Sequence, residues 1–304
     1  MAFLEVQGLA RSYRGVRAVE DFSFAMERGE IYALVGPDGA GKTTVIRAIA
    51  NLITPDRGRI LLDGTDIRDR FDRVKSRLGY MPQVFSLYPD LSVEENLIFY
   101  AGVYGVTGRA YEERRDRMYD FSNLRPFAGR RAAALSGGMK QKLALSCALM
   151  HDPELLLLDE PTTGVDPLSR RQFWDILLQL KRDGAAVLVT TPYMDEVARA
   201  DRGSFVFGGR KLAEGSPREL TESFSGEVYF VGAAADLELV RRLNELPEVS
   251  AQRFGAGLHL YLPRGGRLEP HLPALAACGI RPEQIRKIRP DLEDAFIQLM
   301  ERSA

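Results

Sequence analysis

The octet Gly36-Pro37-Asp38-Gly39-Ala40-Gly41-Lys42-Thr43 carries the first chemistry in this chain. Gly36, Gly39 and Gly41 remove side chains, so backbone N–H groups can close around phosphate oxygens. A helix that follows at once adds the partial positive charge of its N-terminus. Lys42 brings a point charge to the outer phosphates of a nucleotide, and the Thr43 hydroxyl is placed to ligand Mg²⁺. Thr44 extends the binding stretch by one residue.

Further along, Asp159 and Glu160 close the apolar run 155–158. Alone, such a pair is more often a solvated strand end. After a phosphate loop, Asp159 can hold Mg²⁺ directly or through water. Glu160, pointing differently, is then the candidate to orient and deprotonate an attacking water. Gln83, in Gly79-Tyr80-Met81-Pro82-Gln83, can reach a metal or a water ligand from a loop. Tyr13 can stack on a base, although packing is the commoner role of a lone tyrosine.

These residues need a strand, the glycine loop and a helix in that order. The run 31–35 supplies the strand and 42–51 the helix. Residues 3–7 and 21–26 alternate like strands around a turn at Tyr13-Arg14-Gly15, and 59–62 with Asp63-Gly64-Thr65 reads as another hairpin. Residues 92–150 are rich in helix formers, interrupted at Gly102, Gly105 and Gly108. Residues 155–159 and 186–190 read as buried parallel strands, and 172–183 as a helix. Around residue 222 the pattern changes. Strand 228–231, helix 237–246, strands 249–254 and 257–262, helix 268–278 and strand 285–288 give βαββαβ, the order of a ferredoxin-like domain. A helix over 291–302 follows. The expected organisation is an α/β nucleotide-binding domain over 1–222 and a small α+β accessory domain over 223–304.

Composition narrows the choices. With 304 residues, 45% of them hydrophobic, the chain has material for about two buried cores. The 41 basic and 42 acidic residues give a net charge of -1, which offers no electrostatic case for nucleic acid or an anionic membrane surface. Cys147 and Cys278 are isolated and form neither a disulfide framework nor a metal site. The first residues lack the pattern of a signal peptide, and no run approaches the ~20 apolar residues that span a bilayer. Direct membrane insertion is not expected, and the expected location is cytoplasmic.

Tyr13, the 36–43 loop, Gln83, Leu135-Ser136-Gly137-Gly138-Met139-Lys140-Gln141, Asp159-Glu160 and Gly164-Val165-Asp166, in that order, resemble the nucleotide-binding subunit of an ABC transporter. The resemblance covers residues 1 to about 220. It implies a P-loop ABC ATPase fold with a RecA-like core, an antiparallel β subdomain and a helical subdomain. It implies ATP and Mg²⁺, and a head-to-tail pair with ATP between the loop of one subunit and the signature of the other. Ser136, the N–H groups of Gly137 and Gly138, and Gln141 then belong to the partner's nucleotide. Residues 288–297, Ile-Arg-Pro-Asp-Leu-Glu-Asp-Ala-Phe-Ile, are similar to the end of ABC-2-type exporter ATPases of the drug-resistance and sodium-export group. A capped helix with Asp291 near its start also accounts for them. The implied partners are a second ABC ATPase subunit and a polytopic membrane permease. The permease, gripped by the span between Gln83 and the signature, would hold the chain on the inner face of the cell membrane.

One residue departs from the family. Pro192 stands where the family has a histidine that contacts the γ-phosphate. None of the three histidines, His151, His259 and His271, can replace it by position. Proline has no side-chain donor and no backbone N–H. Losing one transition-state donor typically costs about 10²–10³ in rate, so turnover at this chain's own site is in question. The signature remains whole, which favours a heteromeric pair in which a different subunit supplies the second phosphate loop. Two other readings compete. A soluble, non-transport ABC ATPase acting on ribosomes or DNA is disfavoured by the single cassette and the near-neutral charge. A regulatory ATP-binding subunit without turnover is opposed by the presence of Glu160.

Overall fold

The fold is taken from a computed structural model, which describes residues 2–233 and 236–303. The described chain falls into two compact units, Met1–Pro217 and Arg218–Ala304.

The first unit opens on β1 (Leu4–Tyr13) and β2 (Val16–Met26), an antiparallel hairpin around Arg14 and Gly15. Both turn residues have positive φ, 49° and 86°, as a two-residue hairpin turn requires. β3 (Ile31–Val35) is wholly buried and runs into the glycine loop and the helix Lys42–Ile49. β4 (Arg57–Leu62) and β5 (Thr65–Asp66) complete an antiparallel sheet of order β2-β1-β4-β5.

A second sheet forms the centre. Its remaining strands are β6 (Leu78–Met81), β7 (Leu155–Asp159), β8 (Ala186–Thr191), β9 (Arg202–Phe207) and β10 (Arg210–Gly215). The order is β10-β9-β3-β8-β7-β6, parallel except for the β9–β10 hairpin. β7 and β8 are buried along their whole length, which explains their unbroken apolar sequence. One core joins the two sheets: Phe3, Leu4 and Phe22 share it with Tyr32, Leu34, Leu157 and Leu188, and with Val45, Ile46 and Ile49 of the loop helix. The apolar face of that short helix is therefore covered by tertiary packing, without which a helix of this length is marginal.

Helices Val93–Val103, Gly108–Ser122 and Gly137–Leu149 pack as a helical subdomain. The first carries a capping box, Ser92 Oγ accepting from Glu95 N–H while Glu95 accepts from Ser92 N–H. Gly102 lies inside this helix; the break comes afterwards, with Gly105 at φ 69°. The helix expected from 172 begins a turn earlier, Pro167–Arg182, because Asp166 caps it by accepting from Ser169 N–H and Pro167 suits its first position.

In the second unit β11 (Glu227–Val231), β12 (Ser250–Phe254), β13 (Gly257–Leu262) and β14 (Ile285–Ile288) form an antiparallel sheet of order β12-β13-β11-β14. With helices Leu237–Asn244 and Leu272–Ala277 this is βαββαβ. The helix expected over 268–278 is split, since a 3₁₀ turn Glu269–His271 precedes it and Pro270 and Pro273 interrupt its start. Leu243, Leu258, Leu260 and Leu275 form the core on one sheet face. On the other face Asp294, from the final helix Leu292–Ser303, accepts from Tyr261 Oη at 2.9 Å and pairs with His259 Nδ1 at 2.7 Å.

Candidate nucleotide site

The phosphate loop is held by its neighbours on three sides. Gly36 N–H donates to the Thr191 carbonyl at 3.3 Å, and Gly209 N–H donates to the Ala40 carbonyl at 3.0 Å. Gly41, at φ 106°, leaves no room for a side chain: a Cβ there would run into the carbonyl oxygen of Ala18. Gly41 is also the N-cap of Lys42–Ile49 and offers no side-chain cap. The first-turn N–H groups of that helix, at Lys42, Thr43 and Thr44, are the ones an α-helix leaves without internal acceptors. An anion is the natural partner for them. Pro37 is half-buried, while Asp38 and Gly39 are exposed at the tip of the loop.

Lys42 is 2% exposed, and its ammonium has three acceptors. Nζ donates to the carbonyls of Gly36 at 2.8 Å and Pro37 at 3.0 Å, and it pairs with Glu160 Oε1 at 3.0 Å. Glu160, 4% exposed, takes Gln83 Nε2 at 3.0 Å and the Thr163 hydroxyl at 3.2 Å on Oε2. Its backbone sits at φ 48°, which swings it away from the strand direction of Asp159. The two adjacent carboxylates thus address different partners.

Asp159 is fully buried. Its Oδ1 accepts from Thr43 Oγ1 at 3.0 Å and from Thr190 Oγ1 at 2.9 Å, while its Oδ2 has no hydrogen-bond partner. Burial raises its pKa above the ordinary aspartate value, with the two hydroxyls opposing the shift. A buried carboxylate oxygen without a donor, beside a threonine hydroxyl, is an oxygen set that suits Mg²⁺. The residues present therefore fit the metal that the phosphate loop implies.

Lys42, Thr43, Gln83, Asp159 and Glu160 are thus joined in one network. Tyr13 is not joined to it: the ring is 41% exposed at the hairpin tip and lies against the Arg11 guanidinium, 4.9 Å from its centroid. Ser136, Gly137 and Gly138 form a separate place. Ser136 caps Gly137–Leu149, accepting from Met139 N–H at 3.4 Å, and Gly138 is packed against Ser169. Ser136 and Gly137 are exposed, and Gln141 lies half-buried on the same helix.

Five further polar residues, Thr162, Arg170, Thr190, Thr191 and Glu196, surround the site without a motif to mark them. Thr190 bridges the carboxylate pair, donating to Asp159 Oδ1 and accepting from Glu160 N–H at 2.9 Å. Thr191 and Thr162 both donate to the buried Glu196, and Arg170 lies over the Tyr193 ring. The available signal was two threonines ending an apolar strand beside the loop.

The ABC transporter family model matches residues 19–163. The chain is 35% identical to the Nod factor export ATP-binding protein I of Bradyrhizobium diazoefficiens over 304 residues, 98% of this chain and 96% of that protein. It is 43% identical over 217 residues to the probable multidrug ABC transporter ATP-binding protein YbhF of Escherichia coli, covering 71% of this chain but spanning 38% of that protein's length. A solved structure described as the ATP binding subunit of an ABC transporter is similar with 32% identity and a TM-score of 0.66, covering 73% of this chain and 93% of that one. With the loop, the carboxylate pair and the signature all in place, the chain belongs to the family of ABC transporter ATP-binding proteins.

Proposed function

We propose that this chain binds and hydrolyses Mg-ATP as the nucleotide-binding subunit of an ABC-type export system, working head to tail with a second ATPase subunit. The observation that carries this reading is the pairing of Lys42 with Glu160, beside a buried Asp159 whose Oδ2 lacks a partner. The export relatives support the direction, and a similar cassette (TM-score 0.63, 25% identity) solved as a dimer with ADP and Pi supports the pairing.

Thr43 and Asp159 would hold Mg²⁺, which when bound neutralises phosphate charge. The N–H groups of the loop orient the phosphates. An incoming γ-phosphate competes with Glu160 for the Lys42 ammonium. Glu160 Oε1, released from that pair, accepts the proton of the attacking water, while Gln83 and Thr163 hold Oε2. Pro192 leaves this site without a donor that the family supplies, so this chain's own turnover is slow. Its signature completes the site of a different subunit.

The permease would dock on the helical side. Leu52, Val84, Ile98 and Val103 are all more than half exposed, and Leu52, Phe71, Tyr80, Val103 and Tyr104 line a cavity of about 610 Å³. The exposed Leu52 and Val103 share that cavity's lining, which supports reading it as an interaction surface. Glu160→Gln should trap a two-subunit particle with Mg-ATP, seen as a doubling of mass in solution. A particle that stays single with Mg-ATP, alone and with the co-expressed partner ATPase, would contradict the pairing.

A further inference from the structure

We infer that Glu196 is a positioning residue that locks the Glu160 loop to the end of β8, beside Pro192. This rests on the reading of Glu160 as the general base. Glu196 is 2% exposed and lies on the short helix Met194–Val197. Its Oε1 accepts from Thr162 Oγ1 at 2.7 Å, and its Oε2 accepts from Thr191 Oγ1 at 2.5 Å. Thr162 stands two residues after Glu160, in a turn where Thr163 N–H donates to the Glu160 carbonyl and Val165 N–H to the Thr162 carbonyl. Thr191 stands one residue before Pro192, and its carbonyl accepts from Gly36 N–H of the phosphate loop.

One buried carboxylate therefore bridges the base loop and the end of β8, whose Thr191 carbonyl holds the phosphate loop. The Arg170 guanidinium, stacked 3.8 Å from the Tyr193 ring centroid, brings a positive charge to within 3.7 Å of Glu196 Oε1. Arg170 Nε is buried without a hydrogen-bond partner, and the guanidinium lies between Glu196 at 3.7 Å and the exposed Asp195 at 4.0 Å. Pro192 removes one link between β8 and the nucleotide, and the Thr162–Glu196–Thr191 bridge joins the Thr190 hydroxyl, which accepts from Glu160 N–H at 2.9 Å, in tying the base loop to the end of β8. Small misplacements of a catalytic group cost up to about 10²-fold in rate.

The test compares Glu196→Ala, Glu196→Gln, Thr162→Val and Thr191→Val in the full chain purified alone at high concentration, where every turnover comes from a site built on this chain's own Glu160. Two readouts are taken: steady-state kinetics with Mg-ATP, and backbone amide exchange. Glu196→Ala should lower kcat about tenfold with KM for ATP unchanged within about twofold. Exchange at Thr163 and Val165 should quicken about tenfold, while β3 and the helix Lys42–Ile49 keep their protection. Glu196→Gln, which retains one acceptor oxygen, should lie between, and each valine variant should reproduce part of the loss. Unchanged kcat and unchanged exchange in Glu196→Ala overturn the inference. So does faster exchange spread evenly over the chain in all four variants, which marks mere stability. Absent wild-type turnover with the local exchange pattern intact would remove the hydrolysis reading and leave the positioning role standing.

Discussion

Lys42 Nζ and Glu160 Oε1 lie 3.0 Å apart in a pair from which water is almost excluded. The cation proposed to bind phosphate thus neutralises the carboxylate proposed to activate water. Truncating one partner of a buried pair costs about 3–5 kcal/mol because the other charge is left unpaired. Lys42→Ala should therefore lose about that much in chemical denaturation, and Glu160→Gln added to it should restore most of the loss. Equal stability of the single and double variants would show that the pair is not coupled.

Asp159 links pH to metal. Its pKa is raised by burial, so the folded chain resists ionising it. A raised carboxylate contributes stability at low pH that is lost as pH rises through the folded value. Without metal, the stability of the wild type relative to Asp159→Asn should fall as pH rises from about 4 towards neutrality. Mg²⁺ with ATP should counter that fall in the wild type and not in the variant. Thermal melts across pH, with and without Mg-ATP, check both statements.

A substitution at Gly138 should separate nucleotide binding from the proposed pairing. A Cβ there would lie 2.6 Å from both Cβ and Oγ of Ser169, and a Cβ atom cannot rotate away. Gly138→Ala should shift the signature helix start and cost about 1–3 kcal/mol. ATP affinity, measured by titration, should stay near wild type, while the ATP-induced mass doubling of Glu160→Gln should be lost when Gly138→Ala is added.

Asp294 makes the second unit acid-sensitive. Burial acts to raise its pKa, but bonds from His259, the Asp291 N–H and Tyr261 outweigh it and hold the carboxyl below the usual range. A depressed carboxylate contributes stability that is lost as pH falls through the folded value. Asp294→Asn should therefore be less stable than wild type at neutral pH. The gap should close below about pH 4, as circular dichroism melts would show.

The site was legible wherever chemistry demanded a residue type. The loop 36–43 needs glycines for close backbone approach; Lys42 and Gln83 both bond Glu160, and Asp159 bonds Thr43. Buried parallel strands were legible as apolar runs at 31–35, 155–159 and 186–190. β6, β9 and β10 were not. β6 is four residues containing Gly79, and β9 and β10 meet at Gly208-Gly209 with Arg202, Arg210 and Lys211 diluting the apolar signal. β6 takes its strand character from pairing with β7, β9 from β3 and β10 from β9, which is a tertiary effect. Glu196 escaped for the opposite reason. Its sequence context reads as a solvated helix face, and only the approach of Thr162 from another loop buries it.

Under the proposed function, Glu160 drives ATP hydrolysis at a site that Pro192 weakens. Steady-state Mg-ATPase activity of the purified chain, at high concentration, tests it beside Pro192→His and Glu160→Gln. Wild-type activity should be low, should rise about 10–10²-fold in Pro192→His, and should be absent in Glu160→Gln. Robust wild-type turnover that Pro192→His leaves unchanged would contradict it, and the chain would then be a self-sufficient motor that has no use for the family's histidine.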